Sequence, residues 1–278
     1  MFAFLHRRRR EKYLAEHPIP DSLWQCVAAS PLLRGLGAEE IGLLREQAAW
    51  FLHCKAITPV AELELDDEQR LQIALQAVLP VLNLGFDCLD DWHEIVVYPA
   101  AFRARDLYHE MLDGHLTLEH EIVEELSGQA RPDGPVLLSW LDAEISPWLD
   151  GWNVVIHEIA HKLDMQNGEA NGCPPLHKDM DYRAWKTAFE AAFADLVRRD
   201  ESGEDCEFDL YAATNPAECF AVCSEYFFEL PHQLLAHYPA VYDQLRQFYR
   251  QHPAGRIAPV RYRPILPEMR EYCERALI

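Results

Sequence analysis

His157 and His161 stand four residues apart in Val154-Val155-Ile156-His157-Glu158-Ile159-Ala160-His161-Lys162-Leu163-Asp164. On a helix that spacing puts one imidazole a turn above the other on a single face. Two imidazoles so arranged reach one metal ion. Glu158, beside the first of them, is placed to take a proton from metal-bound water rather than to bind the metal itself. Val154, Val155, Ile156, Ile159, Ala160 and Leu163 surround the trio with apolar side chains, as a largely buried helix requires. Polar groups inside such a helix must be satisfied, and a cation does so economically. A hydrogen-bonded histidine pair in a core helix is the bland alternative.

Unrelated zinc peptidase groups share this spacing, so the motif has to be typed. Metzincins place a glycine three residues and a histidine six residues after the second histidine. Those positions hold Asp164 and Asn167, which excludes that class. A hydrolytic zinc site takes three protein ligands plus water, so a third ligand must lie farther along. Asp164, Glu169, His177, Asp179, Glu218 and Glu225 are the candidates. Asp164 shares a helix face with His161 and suits a carboxylate that holds an imidazole tautomer, with a helix-end residue before Gly168 as its simpler reading. Glu218 lies in Asp209-Leu210-Tyr211-Ala212-Ala213-Thr214-Asn215-Pro216-Ala217-Glu218-Cys219-Phe220, where Asn215-Pro216 predicts an N-cap followed by proline at the first helical position. In that first turn a glutamate is either a ligand or a capping-box residue reaching back to the Asn215 amide.

Together, HEIAHKLDMQNG and DLYAATNPAECFAVCSEYFFE resemble the Mlc titration factor A family of bacterial zinc metallopeptidases. The second segment is also similar to the corresponding helix of the anthrax lethal factor peptidase domain. The resemblance implies a gluzincin-type site for one Zn²⁺, with Glu218 joining His157 and His161 as the third ligand. It implies further that Tyr211, seven residues before Glu218, stabilises the tetrahedral intermediate while Glu158 acts as base and then acid. Co²⁺ or Mn²⁺ would also fit such ligands in vitro. Lys162 departs from the general pattern, in which an uncharged residue follows the second histidine; helix geometry can point it away from the ion. The substrate implied is a peptide or protein, with cleavage of an aminopeptidase kind. A second implication is binding of an Mlc-type transcriptional repressor that regulates the glucose phosphotransferase system, so that the chain would act mainly as a cytosolic sequestering protein with weak or latent peptidase activity. A structural zinc scaffold is a third reading, disfavoured by the carboxylate next to His157.

The 278 residues balance 25 Lys+Arg against 46 Asp+Glu, a formal charge of −21. Non-specific binding to nucleic acid or to an anionic membrane needs a basic surface, so direct nucleic-acid and membrane partners are not expected. No run approaches the ~18 apolar residues of a membrane span. In Met1-Phe2-Ala3-Phe4-Leu5-His6-Arg7-Arg8-Arg9-Arg10 the basic cluster follows a short apolar run, the reverse of a secretory signal; it reads as a solvated arm. Eight scattered cysteines contain no C-x-x-C pair and are expected to be free thiols, which suits a cytoplasmic location.

The elements that must position the site read as α+β: mainly helical with a small mixed sheet, of zincin-like architecture. A helical region over 1–90 packs on a catalytic region over 91–278, the two forming one compact unit. Helical spacing runs from Ser22 to about Leu84, and Asp66-Asp67-Glu68 predicts an acidic helix start. Strands are predicted at Trp92–Tyr98, Leu116–Val123 and Gly134–Trp140, and helices at Tyr182–Arg199 and Ala240–Tyr249. Gly168, Gly172, Pro174 and Pro175 predict an irregular loop after the metal helix. His93, His115 and His120 read as strand or surface residues, and the proline-containing tail from Arg256 to Pro267 as packing over the surface or covering the cleft.

Overall fold

The computed structural model describes residues 2–112, 115–132, 134–204 and 206–259, and the side chains among them other than those of 2–7 and 103–125. Helices dominate: α1 (Phe2–Glu16), α2 (Asp21–Val27), α3 (Ala38–Cys54) and α4 (Asp67–Val78) precede α5 (Trp140–Ile145), α6 (Val154–Asp164), α7 (Tyr182–Ser202), α8 (Pro216–Glu229), α9 (Pro231–His237) and α10 (Pro239–Tyr249). The strands are β1 (Ala56–Pro59), β2 (Glu94–Tyr98), β3 (Phe102–Leu112), β4 (His115–Leu126), β5 (Gly128–Ala130) and β6 (Val136–Ser139). Four of them form a mixed sheet in the order β1-β2-β6-β5, while β3 and β4 make a separate antiparallel pair. This is the expected α+β class.

Local chemistry accounts for the element starts. Asp66 Oδ1 accepts from the Gln69 amide at 2.8 Å and Gln69 Oε1 from the Asp66 amide at 2.9 Å, a reciprocal cap that opens α4 where the acidic cluster predicted a start. Asp181 caps α7 through the Arg183 amide, and Gly203, at φ +64°, ends it in a left-handed turn. β1 and β2, and β2 and β6, pair in parallel, aligning Ile95 with Val136 and Val97 with Leu138. These four side chains are buried, so one face of the sheet seals against helices. β5 runs antiparallel to β6 at the sheet edge.

Two readings of the amino-terminal part need revision. The helical stretch from Ser22 to Leu84 is interrupted by β1, whose four residues are too few for their alternation to stand out. The arginine cluster lies on a packed helix, α1, rather than on an arm, although Arg8 and Arg9 are exposed as expected: Tyr13 stacks on His53 with ring centroids 3.8 Å apart, and the Arg10 guanidinium lies 5.7 Å from the Phe86 ring. Stacking on α3 gives the helix tertiary support that its own sequence lacks. His115, His120 and Cys273 and the tail beyond residue 259 fall outside the described side chains. The other seven cysteines are free thiols, and no described helix is long and apolar enough to cross a membrane.

A surface carboxylate illustrates how α7 is braced and yields a pH test. Asp195 accepts from Arg199 Nε at 2.8 Å, Arg198 Nη2 at 2.9 Å and the Tyr238 hydroxyl at 3.1 Å. The bond from Arg199, then that from Arg198, holds its carboxyl down to about 2, from an ordinary 3.8. A depressed carboxylate stabilises the fold above its unfolded pKa and loses that contribution as pH falls through the folded one. The stability gap between wild type and Asp195→Asn in urea titrations is therefore expected to be constant above about pH 4 and to close towards pH 2. A gap independent of pH across that window would refute the assignment.

Candidate metal centre

Asn153 starts the helix that carries the two histidines. Its Oδ1 accepts from the Ile156 amide at 2.9 Å, so an asparagine just before the apolar run acts as N-cap. Every residue of α6 is buried except His157, which is partly so. On α8, Asn215 Oδ1 accepts from the Ala217 and Glu218 amides at 2.9 and 3.0 Å, and Pro216 takes the first helical position, as its sequence predicted. The Glu218 side chain turns to the histidines rather than back to the Asn215 amide, so it does not complete a capping box.

The result is a convergence of three ligand-type atoms. His157 Nε2 and His161 Nε2 lie 3.1 Å apart, and Glu218 Oε2 is 3.0 Å from the first and 3.3 Å from the second. Ligand atoms of His157, His161 and Glu218 all fall within 4.8 Å of one another. Lone-pair carriers held this closely repel unless a proton or cation lies among them. Two imidazoles and one carboxylate form a donor set that suits a divalent metal. Burial alone would lower His157, but bonds to Glu218 and Glu225 outweigh it and push its pKa well up. Burial would likewise raise Glu218, yet the two imidazoles hold it well below the usual carboxylate range. Both directions express one fact: the cluster attracts positive charge.

Glu158 is 3 % exposed and borders the same cleft of about 840 Å³. Burial pushes its carboxyl up, against the pull of His157 and His161. Its Oε2 has no hydrogen-bond partner among the described residues. Tyr211, 44 % exposed, also lines the cleft, its ring centroid 6.1 Å from that of His157. Lys162 points elsewhere: its ammonium donates to the carbonyls of Arg131 and Gly134 and lies 5.6 Å from the Trp92 ring. Of the other candidate ligands, His177 bonds the Phe248 carbonyl at 2.8 Å, and Glu169 and Asp179 do not join the cluster. Asp164 does not hold an imidazole. Its Oδ2 accepts from the Asn171 and Gly172 amides, and His161 Nδ1 has no partner among the described residues. Residues three apart share a helix face, but the two nearby amides capture the carboxylate first.

Glu225 supplies the contact that Asp164 does not. Its Oε1 lies 2.8 Å from His157 Nδ1, and its Oε2 accepts from the Asn153 amide. An ionised Glu225 accepts from Nδ1–H, an arrangement that holds the ring with Nε2 facing Glu218. One turn on, Glu229 accepts from the Gly151 amide at 3.0 Å and from Asn153 Nδ2 at 2.9 Å. Burial pushes Glu225 up and Glu229 well up. Glu225→Gln has one carbonyl oxygen for two donors, so metal affinity is expected to fall about 10- to 100-fold with helicity unchanged. Competition with a chromophoric chelator measures this; unchanged affinity would show that the contact orients nothing.

Gly128 was missing from the sequence reading. A Cβ there would meet Glu158 Oε1 at 2.4 Å and Val154 Cγ2 at 2.8 Å, so β5 passes directly over the carboxylate only because it carries no side chain. A glycine inside a three-residue strand has no periodic signal. Glu229 and the Asn153 cap were missed too, although an asparagine before an apolar run is a legible cap.

A histidine pair and a glutamate on two packed helices thus form a group that could hold a metal ion, with a buried carboxylate beside it and an edge strand along the cleft. The comparisons agree: residues 5–250 match the glucose-regulated metallo-peptidase M90 model, and the chain belongs to that family. It is 41 % identical over 242 residues to Mlc titration factor A of Salmonella arizonae, covering 85 % of this chain and 94 % of that protein. Mlc titration factor A of Serratia proteamaculans is 42 % identical over 237 residues, 84 % of this chain and 88 % of the relative. That of Cronobacter sakazakii is 39 % identical over 242 residues, 86 % and 89 % respectively.

Proposed function

We propose that the chain is a zinc-dependent peptidase of aminopeptidase type, with His157, His161 and Glu218 as ligands. The observation that carries the metal-dependent peptidase reading is the meeting of those three side chains next to the buried Glu158, while the aminopeptidase type follows the family resemblance. Bound zinc would supply Lewis acidity, lowering the pKa of a coordinated water toward neutrality. Glu158, buried beside the ligand group, would be the base that takes a proton from the attacking water. The Tyr211 hydroxyl donates to the carbonyl oxygen as negative charge develops there. Glu158 then returns its proton to the leaving amine, so none is gained or lost over the cycle. β5, along the cleft at the sheet edge, offers backbone groups to an extended peptide.

The test is mass spectrometry of a mixed peptide library after incubation with the zinc-loaded chain. Shortening from free N-termini, abolished by chelation and restored by zinc, is expected. Tyr211→Phe is expected to slow it by about 10²-fold. Internal cuts alone would overturn the aminopeptidase assignment, and no cuts with zinc bound would overturn the enzymatic one.

The relatives' name favours a second role, binding of an Mlc-type repressor, and the free thiols suit a cytoplasmic setting for it. Retained repressor binding by an inactive Glu158→Gln protein would separate it from catalysis; no binding by wild type would remove it.

A further inference from the structure

Asp164, the last residue of α6, is fully buried and spends its carboxylate on a loop. Oδ2 accepts from the Asn171 amide at 2.8 Å and from the Gly172 amide at 2.7 Å. Gly172 is held on two further sides. Its carbonyl accepts from Trp185 Nε1 of α7 at 3.1 Å, and its Cα lies against the start of α8. A Cβ at this position would come within 2.3 Å of the Pro216 carbonyl oxygen and 2.9 Å of its carbon, and φ is +79°, a value only glycine adopts without strain. Pro216 opens α8, and Glu218 follows two residues later in the same turn.

These contacts join the two ligand-bearing helices at one end. Their other end is joined by Glu225 and Glu229, which bind the chain at Gly151 and Asn153 just before α6. The two helices are therefore antiparallel and fastened at both ends. Only the Gly172 fastening lies next to Glu218. From His161 the route runs through Asp164, two amide hydrogen bonds, Gly172 and Pro216 to Glu218, and every non-covalent link is a hydrogen bond or van der Waals contact.

We infer that Asp164 and Gly172 are positioning residues: they set the separation between α6 and the first turn of α8, and so the distance of Glu218 from His157 and His161. The inference rests on the ligand assignment proposed above. Metal sites tolerate ligand displacements of only about 0.2 Å, so a side chain forced between Gly172 and Pro216 would detune the centre without touching a ligand. Asp164 accepts both amides through Oδ2 alone, so an asparagine whose oxygen takes that place keeps both bonds.

The experiment is zinc affinity of the metal-stripped full chain by chelator competition, with the thermal midpoint of the same metal-free samples. Gly172→Ala and Asp164→Ala are expected to weaken zinc at least about 10-fold, whereas Asp164→Asn, which keeps the acceptor oxygen, stays within about 3-fold of wild type. Wild-type affinity in Gly172→Ala, whether or not its midpoint falls, would overturn the inference, because it would show the contact to be merely structural. Asp164→Asn as weak as Asp164→Ala would overturn it for Asp164, making charge rather than bonding decisive. Gly172→Ala is the deciding variant should Asp164→Ala fail to fold. A wild-type chain that binds no zinc, or whose affinity is unmoved by Glu218→Ala, would instead sink the ligand assignment itself.

Discussion

Glu158→Gln is expected to lose at least about 10²-fold in turnover while keeping its zinc. Glu158 is a buried carboxylate in the cleft outside the ligand cluster, and its Oε2 has no hydrogen-bond partner among the described residues. An amide of the same shape cannot accept and return the proton. Folding is not expected to suffer, because burial disfavours the charged form of Glu158 and a neutral amide avoids that cost. Single-turnover kinetics with metal content measured on the same samples checks this. Turnover within a few-fold of wild type would mean that another group moves the proton.

Glu218→Ala is expected to lose both metal and activity. Two imidazoles remain, and a hydrolytic zinc site needs three protein ligands. The loss should exceed the roughly 10- to 100-fold that follows when a group behind a ligand is removed. The variant also leaves His157 and His161 without the carboxylate that faces them at 3.0 and 3.3 Å. The fold should persist, since the first turn of α8 is still capped by Asn215. Metal bound as tightly as in wild type would exclude Glu218 as a ligand and reopen the question for Glu225, the other carboxylate that touches His157.

The two experiments bear on different parts of the site, and their expected outcomes differ in kind. One variant keeps metal without turnover; the other keeps neither. A protein whose role was only to bind a partner would show metal loss in Glu218→Ala and no functional change in Glu158→Gln.

What could be read from the sequence follows from the period of the helix. Residues a few positions apart have relative directions set by the backbone alone, so His157, Glu158 and His161, and the Asn215-Pro216 cap ahead of Glu218, were legible before any fold was known. The acidic start of α4 and the irregular run after α6 were legible for the same local reason. The resemblance of two short segments added the pairing of Glu218 with the histidines.

Other features join parts of the chain that no local rule connects. Glu225 meets His157 across 68 residues, and which of two buried glutamates on α8 touches an imidazole depends on how that helix is rotated. Gly128 matters because a strand and a helix approach until a single methyl group would not fit. Asp164 was free, by sequence, to hold His161; packing delivered two amides to it instead. The sequence by itself determined which side chains could do the chemistry. The tertiary structure decided which groups hold them in place, because hydrogen-bond partners and steric gaps are set by the packing of distant segments.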